Sequence, residues 1–216
     1  MGQAEEKPWP RYHANDVKRG GNPALTNEEL HQPQPIQRSP AELAAIWSAV
    51  RTPRLLLRRL RAEDGPAMFR IHGDPATYQY SPESVHRSLA SSEAMLQLCR
   101  LHWAEHGFGY WAVERARDQL VIGFGGLEQQ LWHKRSVLNL YYRLTPSAWG
   151  QGYATEMART ALQLAREYLP HLPIIARIRA ANLPSQQVAL KVGLRRLPPE
   201  MEEPGYYIFA SEPAGW

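Results

Sequence analysis

Cysteine is almost absent from this 216-residue chain, which carries one, Cys99. A single thiol excludes an internal disulfide framework and suits a reducing cytoplasm, the expected location. No apolar run approaches the ~18 residues that a membrane-spanning helix needs, so no membrane partner is expected. The opening MGQAEEKPWPRYH lacks the apolar core of a secretory signal. No sign of charge dominates: 25 Lys and Arg against 21 Asp and Glu leave a formal +4. That mild basicity admits an acidic partner or a phosphorylated cofactor and does not call for nucleic acid. Metal-ligand patterns are scarce too. His102 and His106 stand four apart on a helical stretch, but only Glu105 joins them, so no metal is expected. What is present is 44% hydrophobic residues, enough for one well-buried domain and too little for two large ones.

Residues 1–50 read as an N-terminal extension, Pro-rich and either wrapped on the domain surface or partly disordered, with Trp9, Tyr12 and Trp47 as anchors. Within it, SPAELAAIWSAV predicts a short helix with Ser39 as N-cap and Glu42 closing a capping box. The regular domain is set at 51–216. Its pattern predicts a strand over 54–60, helices over 62–73 and 88–107, and strands over 109–116, 119–130 and 136–145. A helix over 153–169, a strand over 173–180, a helix over 184–193 and two short terminal strands follow. RARDQ reads as a hairpin turn and LWHKR as a looser one. Hairpins in the first half and crossovers in the second make a mixed α/β sheet. The arginine run Arg51, Arg54, Arg58, Arg59 and Arg61 reads as a solvated strand edge, with contact to ribosomal RNA or an acidic protein as the alternative. Trp103, Trp111 and Trp132 read as core or as cleft lining.

The stretch PSAWGQGYATE places Gly150 and Gly152 at the mouth of a helix. A helix N-terminus leaves backbone N–H groups without partners and carries partial positive charge, so it can cradle a phosphate. Two pyrophosphate signatures are missing. A dinucleotide fingerprint wants a third glycine where Thr155 stands, and no G-K-[ST] closes a P-loop. A plain structural turn capped at Gly150 is the other reading.

The longer pattern YYRLTPSAWGQGYATEMARTAL, followed by RIRAANLPSQQVALKVGLRRL, resembles the GNAT superfamily of acetyl-CoA-dependent N-acetyltransferases. The branch it is most similar to is the RimJ/RimL type, which acetylates protein N-terminal amines. Trp149, Gly150, Gln151, Gly152, Tyr153 and Ala154 occupy the family's pyrophosphate loop, with Trp149 where Arg or Gln is usual. Asn182 to Ser185 matches its N-x-x-S step, and Lys191, Gly193 and Leu194 its K-x-G-F. TPRLLLRRLRAED and GYWAVE…IGFGGL resemble the branch's opening strand and central hairpin. The resemblance covers residues 51 to about 210 and implies an α/β (α+β) fold. Its sheet is expected to be twisted and mostly antiparallel, with about seven strands and about four flanking helices, splayed at the acyl-CoA site.

The resemblance also implies direct transfer of acetyl from acetyl-CoA, as co-substrate, to an amine. The loop from Trp149 to Thr155 would hold the pyrophosphate. The strand end Tyr142, Arg143 and Leu144 would pair with the pantetheine arm and polarise the acetyl carbonyl. Asn182 would bond the pantetheine, and Lys191 or Arg195 the adenosine phosphate. Many relatives use a tyrosine where this chain has Ala189, so Ser185 is expected to protonate the leaving thiolate, although a serine at a helix start is often only a cap. The family's usual basic glutamate is replaced by Asn139, so Glu128 or His133 would have to act in its place. Each also reads as a surface residue, and Glu156 as favouring the helix dipole. An α-amine has a pKa of ~7.7–8.0 against ~10.4 for lysine. Loss of the carboxylate therefore favours a weakly basic acceptor, a protein N-terminus first. A small amine (polyamine, amino acid or antibiotic) is the enzymatic alternative. A non-catalytic acyl-CoA sensor and an interaction protein docking through its extension are the others, with a homodimer left open.

Overall fold

A computed structural model describes residues 38–211. Trp9, Tyr12 and the first 37 residues of the expected extension lie outside the described residues. The regular fold begins with α1 (Pro40–Trp47), earlier than the expected start at Arg51. Its capping box forms as the sequence predicts: Glu42 N–H donates to Ser39 Oγ, and Ser39 N–H donates to the Glu42 carboxylate at 2.8 Å. The earlier start has a physical cause. Trp47 has no exposed surface, stacks on Trp111 at 5.2 Å between centroids, and accepts the Trp111 indole N–H on its carbonyl at 2.7 Å. It is a core residue, so α1 and the following strand β1 (Ala49–Arg51) are tied to the sheet.

The remaining elements are β2 (Leu55–Arg59), α2 (Gly65–His72), α3 (Leu89–His106), β3 (Tyr110–Arg115), β4 (Leu120–Trp132) and β5 (Arg135–Leu144). They continue with α4 (Tyr153–Tyr168), β6 (Ile174–Arg179), α5 (Leu183–Lys191), β7 (Arg195–Arg196) and β8 (Tyr206–Ala210). The eight strands form one sheet in the order β1-β2-β3-β4-β5-β6-β8-β7. The sheet is mixed and mostly antiparallel, with one strand more than expected because β1 belongs to it, and the helix predicted at Ser39 packs with it as α1. Among the described residues no helix is long and apolar enough to cross a membrane.

Two local readings are corrected. LWHKR is not a loose loop. His133 and Lys134, at φ 46° and 65°, make a two-residue turn whose twist suits a hairpin, so β4 runs on to Trp132 and β5 starts at Arg135, both closer to the turn than predicted. The arginine run is solvated at Arg51, Arg54, Arg59 and Arg61, but β2 is not an edge strand, since it lies between β1 and β3, and Arg58 is turned inward. Arg58 is buried and holds both oxygens of Asp64, at 2.8 and 2.9 Å, and Glu114 at 2.9 Å.

Strand alternation divides the sheet into two faces. Leu138, Leu140 and Leu144 of β5 join the main core with Met157, Ala158, Ala161, Leu162 and Ala165 of α4 and Ala189 of α5. The other face packs against α2 and α3 through Leu60, Met68, Leu96, Tyr110 and Phe124, with Tyr141 of β5 at its margin.

Only β5 and β6 run parallel, and they pair at two positions, Leu138↔Ile174 and Asn139↔Ile175. Past these, β6 turns to β8 and β5 keeps β4 alone. The result is a split in the middle of the sheet, open towards the C-terminal ends of both strands.

Candidate active site

On the α4/α5 face the split is closed off by the glycine turn. Gly150 and Gly152 adopt φ +72° and +79°, the left-handed region that side chains disfavour. No side chain caps α4, and the backbone N–H groups from Gly150 to Thr155 find no acceptor among the described residues. A Cβ built on Gly150 would meet nothing within 4 Å, so the glycine there opens space beside uncapped donors. Arg54, at the foot of β2, adds positive charge. It donates to Gln151 O at 2.8 Å and pairs with Glu156 at 2.6 Å, and its guanidinium lies over the Tyr153 ring at 4.7 Å. Thr52 Oγ1 donates to Glu156 at 2.7 Å. Glu156 therefore serves to hold Arg54 against the loop. Charge, donors and space all fit a diphosphate here.

The free edge of β5 is set by hydrogen-bond alternation. Leu138 N–H donates towards β6, to Pro173 O, and Thr145 N–H donates towards β4, to Ile122 O. Even-numbered residues of β5 therefore turn their backbone groups to the split. Of the three expected residues, Tyr142 and Leu144 face it and Arg143 does not. Trp149 takes part of that edge, its indole N–H donating to Leu144 O at 2.9 Å while 43% of the residue stays exposed.

Behind this edge stands the start of α5. Asn182 is its N-cap, accepting from Ser185 N–H at 3.1 Å. The capping duty that serine could have taken is thus filled, and the Ser185 hydroxyl makes no hydrogen bond among the described residues. Sequence reasoning missed its neighbour: the Tyr142 hydroxyl reaches Ser185 O at 3.4 Å, and burial pushes its pKa up to about 12. Ala189, where the resemblance leads to the expectation of a tyrosine, is buried in the core. Lys191 is expected at the adenosine phosphate, away from the loop. It lies at the far end of α5, two residues before Gly193, whose Cβ position lies 3.8 Å from the Arg166 guanidinium in the last turn of α4.

On the α2/α3 face the register places Glu128 directly opposite Asn139. Glu128 is no surface residue. Its Oε1 is buried with no partner, and burial raises its pKa to about 7, against a smaller lowering by the nearby Cys99 thiol. Asn139 Nδ2 donates to the Tyr110 hydroxyl at 3.0 Å. Burial and the Glu128 charge push Tyr110 well above its ordinary range. A carboxyl group titrating near neutrality, flanked by an amide and a phenol at the apex of the split, can accept a proton from a bound group. His133 cannot share this role. It is five residues from Glu128, about 17 Å along an extended strand, in the hairpin turn at the other end of β5.

Arg143 turns its side chain to this same face. It donates to Tyr141 Oη at 3.1 Å and to Thr77 O, and covers the Tyr78 ring at 3.4 Å. Tyr78 in turn bonds the buried His72 Nδ1 at 2.9 Å. His102 is spent on structure: Nδ1 donates to Phe108 O at 2.9 Å, and Nε2 accepts from Gln129 N–H at 3.0 Å. Burial lowers its pKa to about 4, so it stays neutral as that pairing requires. Trp103 and Trp111 are core, and Trp132 closes a small cluster with Val137 and Ile175.

A family model described as "Acetyltransferase (GNAT) domain" matches residues 54–195. Uncharacterized N-acetyltransferase YoaA of Bacillus subtilis is 28% identical over 156 residues, 70% of this chain and 85% of that protein. Among solved structures, an acetyltransferase from Agrobacterium tumefaciens shares the fold at TM-score 0.65 and 23% identity, over 76% of this chain and 94% of that one. Mycobacterium smegmatis RimJ in complex with CoA-disulfide shares it at TM-score 0.55 and 22% identity, over 72% and 80%.

Proposed function

Because the chain belongs to the GNAT acetyltransferase family, we propose that it transfers acetyl from acetyl-CoA to a protein N-terminal α-amine, in the manner of the RimJ/RimL type. The observation that carries the choice of acceptor is Glu128: a buried carboxyl opposite Asn139, with a pKa raised to about 7. Proton transfer from an α-ammonium of pKa ~7.7–8.0 to such a base is uphill by roughly 1 kcal/mol, and from a lysine ammonium of ~10.4 by roughly 4–5 kcal/mol. The residue that removes the proton is then well matched to α-amines. The fold shared with RimJ supports the same reading.

When bound, acetyl-CoA supplies the thioester that the amine attacks. The donors from Gly150 to Thr155, with Arg54 beside them, would hold its pyrophosphate. The open edge at Leu140, Tyr142 and Leu144 would take the pantetheine, joined by the amide nitrogen of Asn182, whose Oδ1 is used in capping. Glu128 takes a proton from the incoming ammonium. Tyr110, held by Asn139, fixes the polar wall beside it. At the other face, Ser185 Oγ and Tyr142 Oη are the hydroxyls positioned to give a proton to a departing thiolate.

The test is free-thiol release from acetyl-CoA with N-terminal peptides, lysine peptides and polyamines at pH 7. Release that depends on the α-amine is expected. Equal use of a lysine side chain would refute the assignment.

A further inference from the structure

Nothing in the transfer described above employs the β6 wall of the split. The register Asn139↔Ile175 puts the odd-numbered residues of β6 on the face that carries Glu128 and Asn139. Arg177 and Arg179 therefore stand on that wall, about 7 and 13 Å along the strand from the apex at ~3.3 Å per residue. Both are fixed on one aromatic shelf, their guanidinium groups 3.5 and 4.3 Å from the centroid of the Tyr206 ring. Each also holds a carboxylate that comes from a loop. Arg179 pairs with Glu83 at 2.7 Å, in the connection between α2 and α3, and reaches Ser81 Oγ at 3.3 Å. Arg177 pairs with Glu203, which precedes β8. The Glu83 side chain is 54% exposed, so its pair is exchangeable with solvent ions; that of Glu203 is 29% exposed and also accepts the Trp132 indole N–H at 3.3 Å. Across the split, Arg143 carries a further positive charge with no carboxylate partner among the described residues.

A guanidinium fork placed on a ring keeps its direction when its counter-ion leaves, and it matches a carboxylate in two-point geometry. We infer that Arg177 and Arg179 form a subsite for acidic side chains of the acceptor, which is a peptide N-terminus bearing Asp or Glu at its third or fifth residue. This rests on the α-amine reading above. An extended peptide advances ~3.3–3.6 Å per residue, so with the first residue at Glu128 its third and fifth side chains, which share one face of an extended chain, come to the level of the two arginines. Glu83 and Glu203 hold the places of those carboxylates until the peptide arrives.

The full chain is assayed with matched peptides beginning Ser-Ala-Glu-Ala-Glu, Ser-Ala-Gln-Ala-Gln and Ser-Ala-Lys-Ala-Lys, and with the variants Arg177→Gln, Arg179→Gln and their combination. The expected result is a kcat/KM ratio of about tenfold or more for the Glu over the Gln peptide, shrinking as salt is raised. In the double variant the ratio falls to about one. The Gln peptide serves as the folding control within each variant. Glu83→Gln, which frees Arg179, is expected to lower KM for the Glu peptide. Equal kcat/KM for the two peptides in the native chain overturns the inference, as does a ratio that survives the double variant. A preference for small amino-carboxylic acids with none among the peptides overturns it as well. If no peptide is acetylated, the α-amine reading falls. Calorimetric titration of the peptides into CoA-loaded protein still decides the subsite: tighter Glu-peptide binding that is lost with the arginines supports it, and equal binding refutes it.

Discussion

The two faces of the split are built in opposite ways. The α4/α5 face draws on one run of backbone, 149–155, and one helix start, 182–185. It offers N–H groups, a strand edge and two hydroxyls, and its charge is the Arg54–Glu156 pair. The α2/α3 face is assembled from side chains on separate elements: Cys99 of α3, Tyr110 of β3, Glu128 of β4, Asn139 and Arg143 of β5, and two arginines of β6. Main-chain donors suit a ligand whose polar groups are the same in every turnover. Side chains brought together by register can change one at a time, and they suit the partner that differs between members of a family.

The largest separation of the two faces is expected from Glu128→Gln. It should lower kcat/KM for the amine by about 10²–10⁴, the range for losing a general base, while calorimetry finds the affinity for acetyl-CoA unchanged.

The same substitution should stabilise the protein. A carboxyl whose folded pKa lies near 7 and whose unfolded value is 4.5 keeps its proton in the folded state after the unfolded chain has lost it. Stability therefore falls as pH rises from about 4.5 to about 7, by roughly 3 kcal/mol in all. Denaturant melts at pH 8 should find Glu128→Gln more stable than the native chain, with the difference gone at pH 4.

On the other face, Gly152→Ala puts a side chain into the left-handed region at about 1–2 kcal/mol. It should weaken acetyl-CoA about tenfold, with kcat at saturation close to native. Ser185→Ala and Tyr142→Phe each remove one hydroxyl, about 0.5–1.5 kcal/mol. They should reduce kcat about two- to tenfold, and more together than apart if they serve one thiolate.

The contrast in construction also explains what could be read in advance. The glycine turn, the uncapped helix and the Asn182–Ser185 step are contiguous, so their chemistry is written in neighbouring letters. The capping box at Ser39 and the left-handed Gly107 that ends α3 are local in the same way. Glu128 was legible as a candidate, but its burial was not. Burial follows from its register with Asn139 and from α3 packing over it, which are relations between distant segments. Arg58 was misread for a related reason: Asp64 and Glu114, which neutralise it, lie 6 and 56 residues away. Tyr142 was read for its backbone alone, because only the fold brings α5 to its hydroxyl. Trp47 was legible as an anchor, but not its partner Trp111, which is 64 residues on.

The central claim is that Glu128 is the base and titrates near neutrality. Its most direct test is the pH profile of kcat/KM for a peptide α-amine at saturating acetyl-CoA, native chain against Glu128→Gln. The native profile should climb through an inflection near 7. The variant should lose that inflection and keep only the amine's own, at ~7.7–8.0. An inflection near 7 that survives unchanged in the variant would place the base elsewhere and contradict the account.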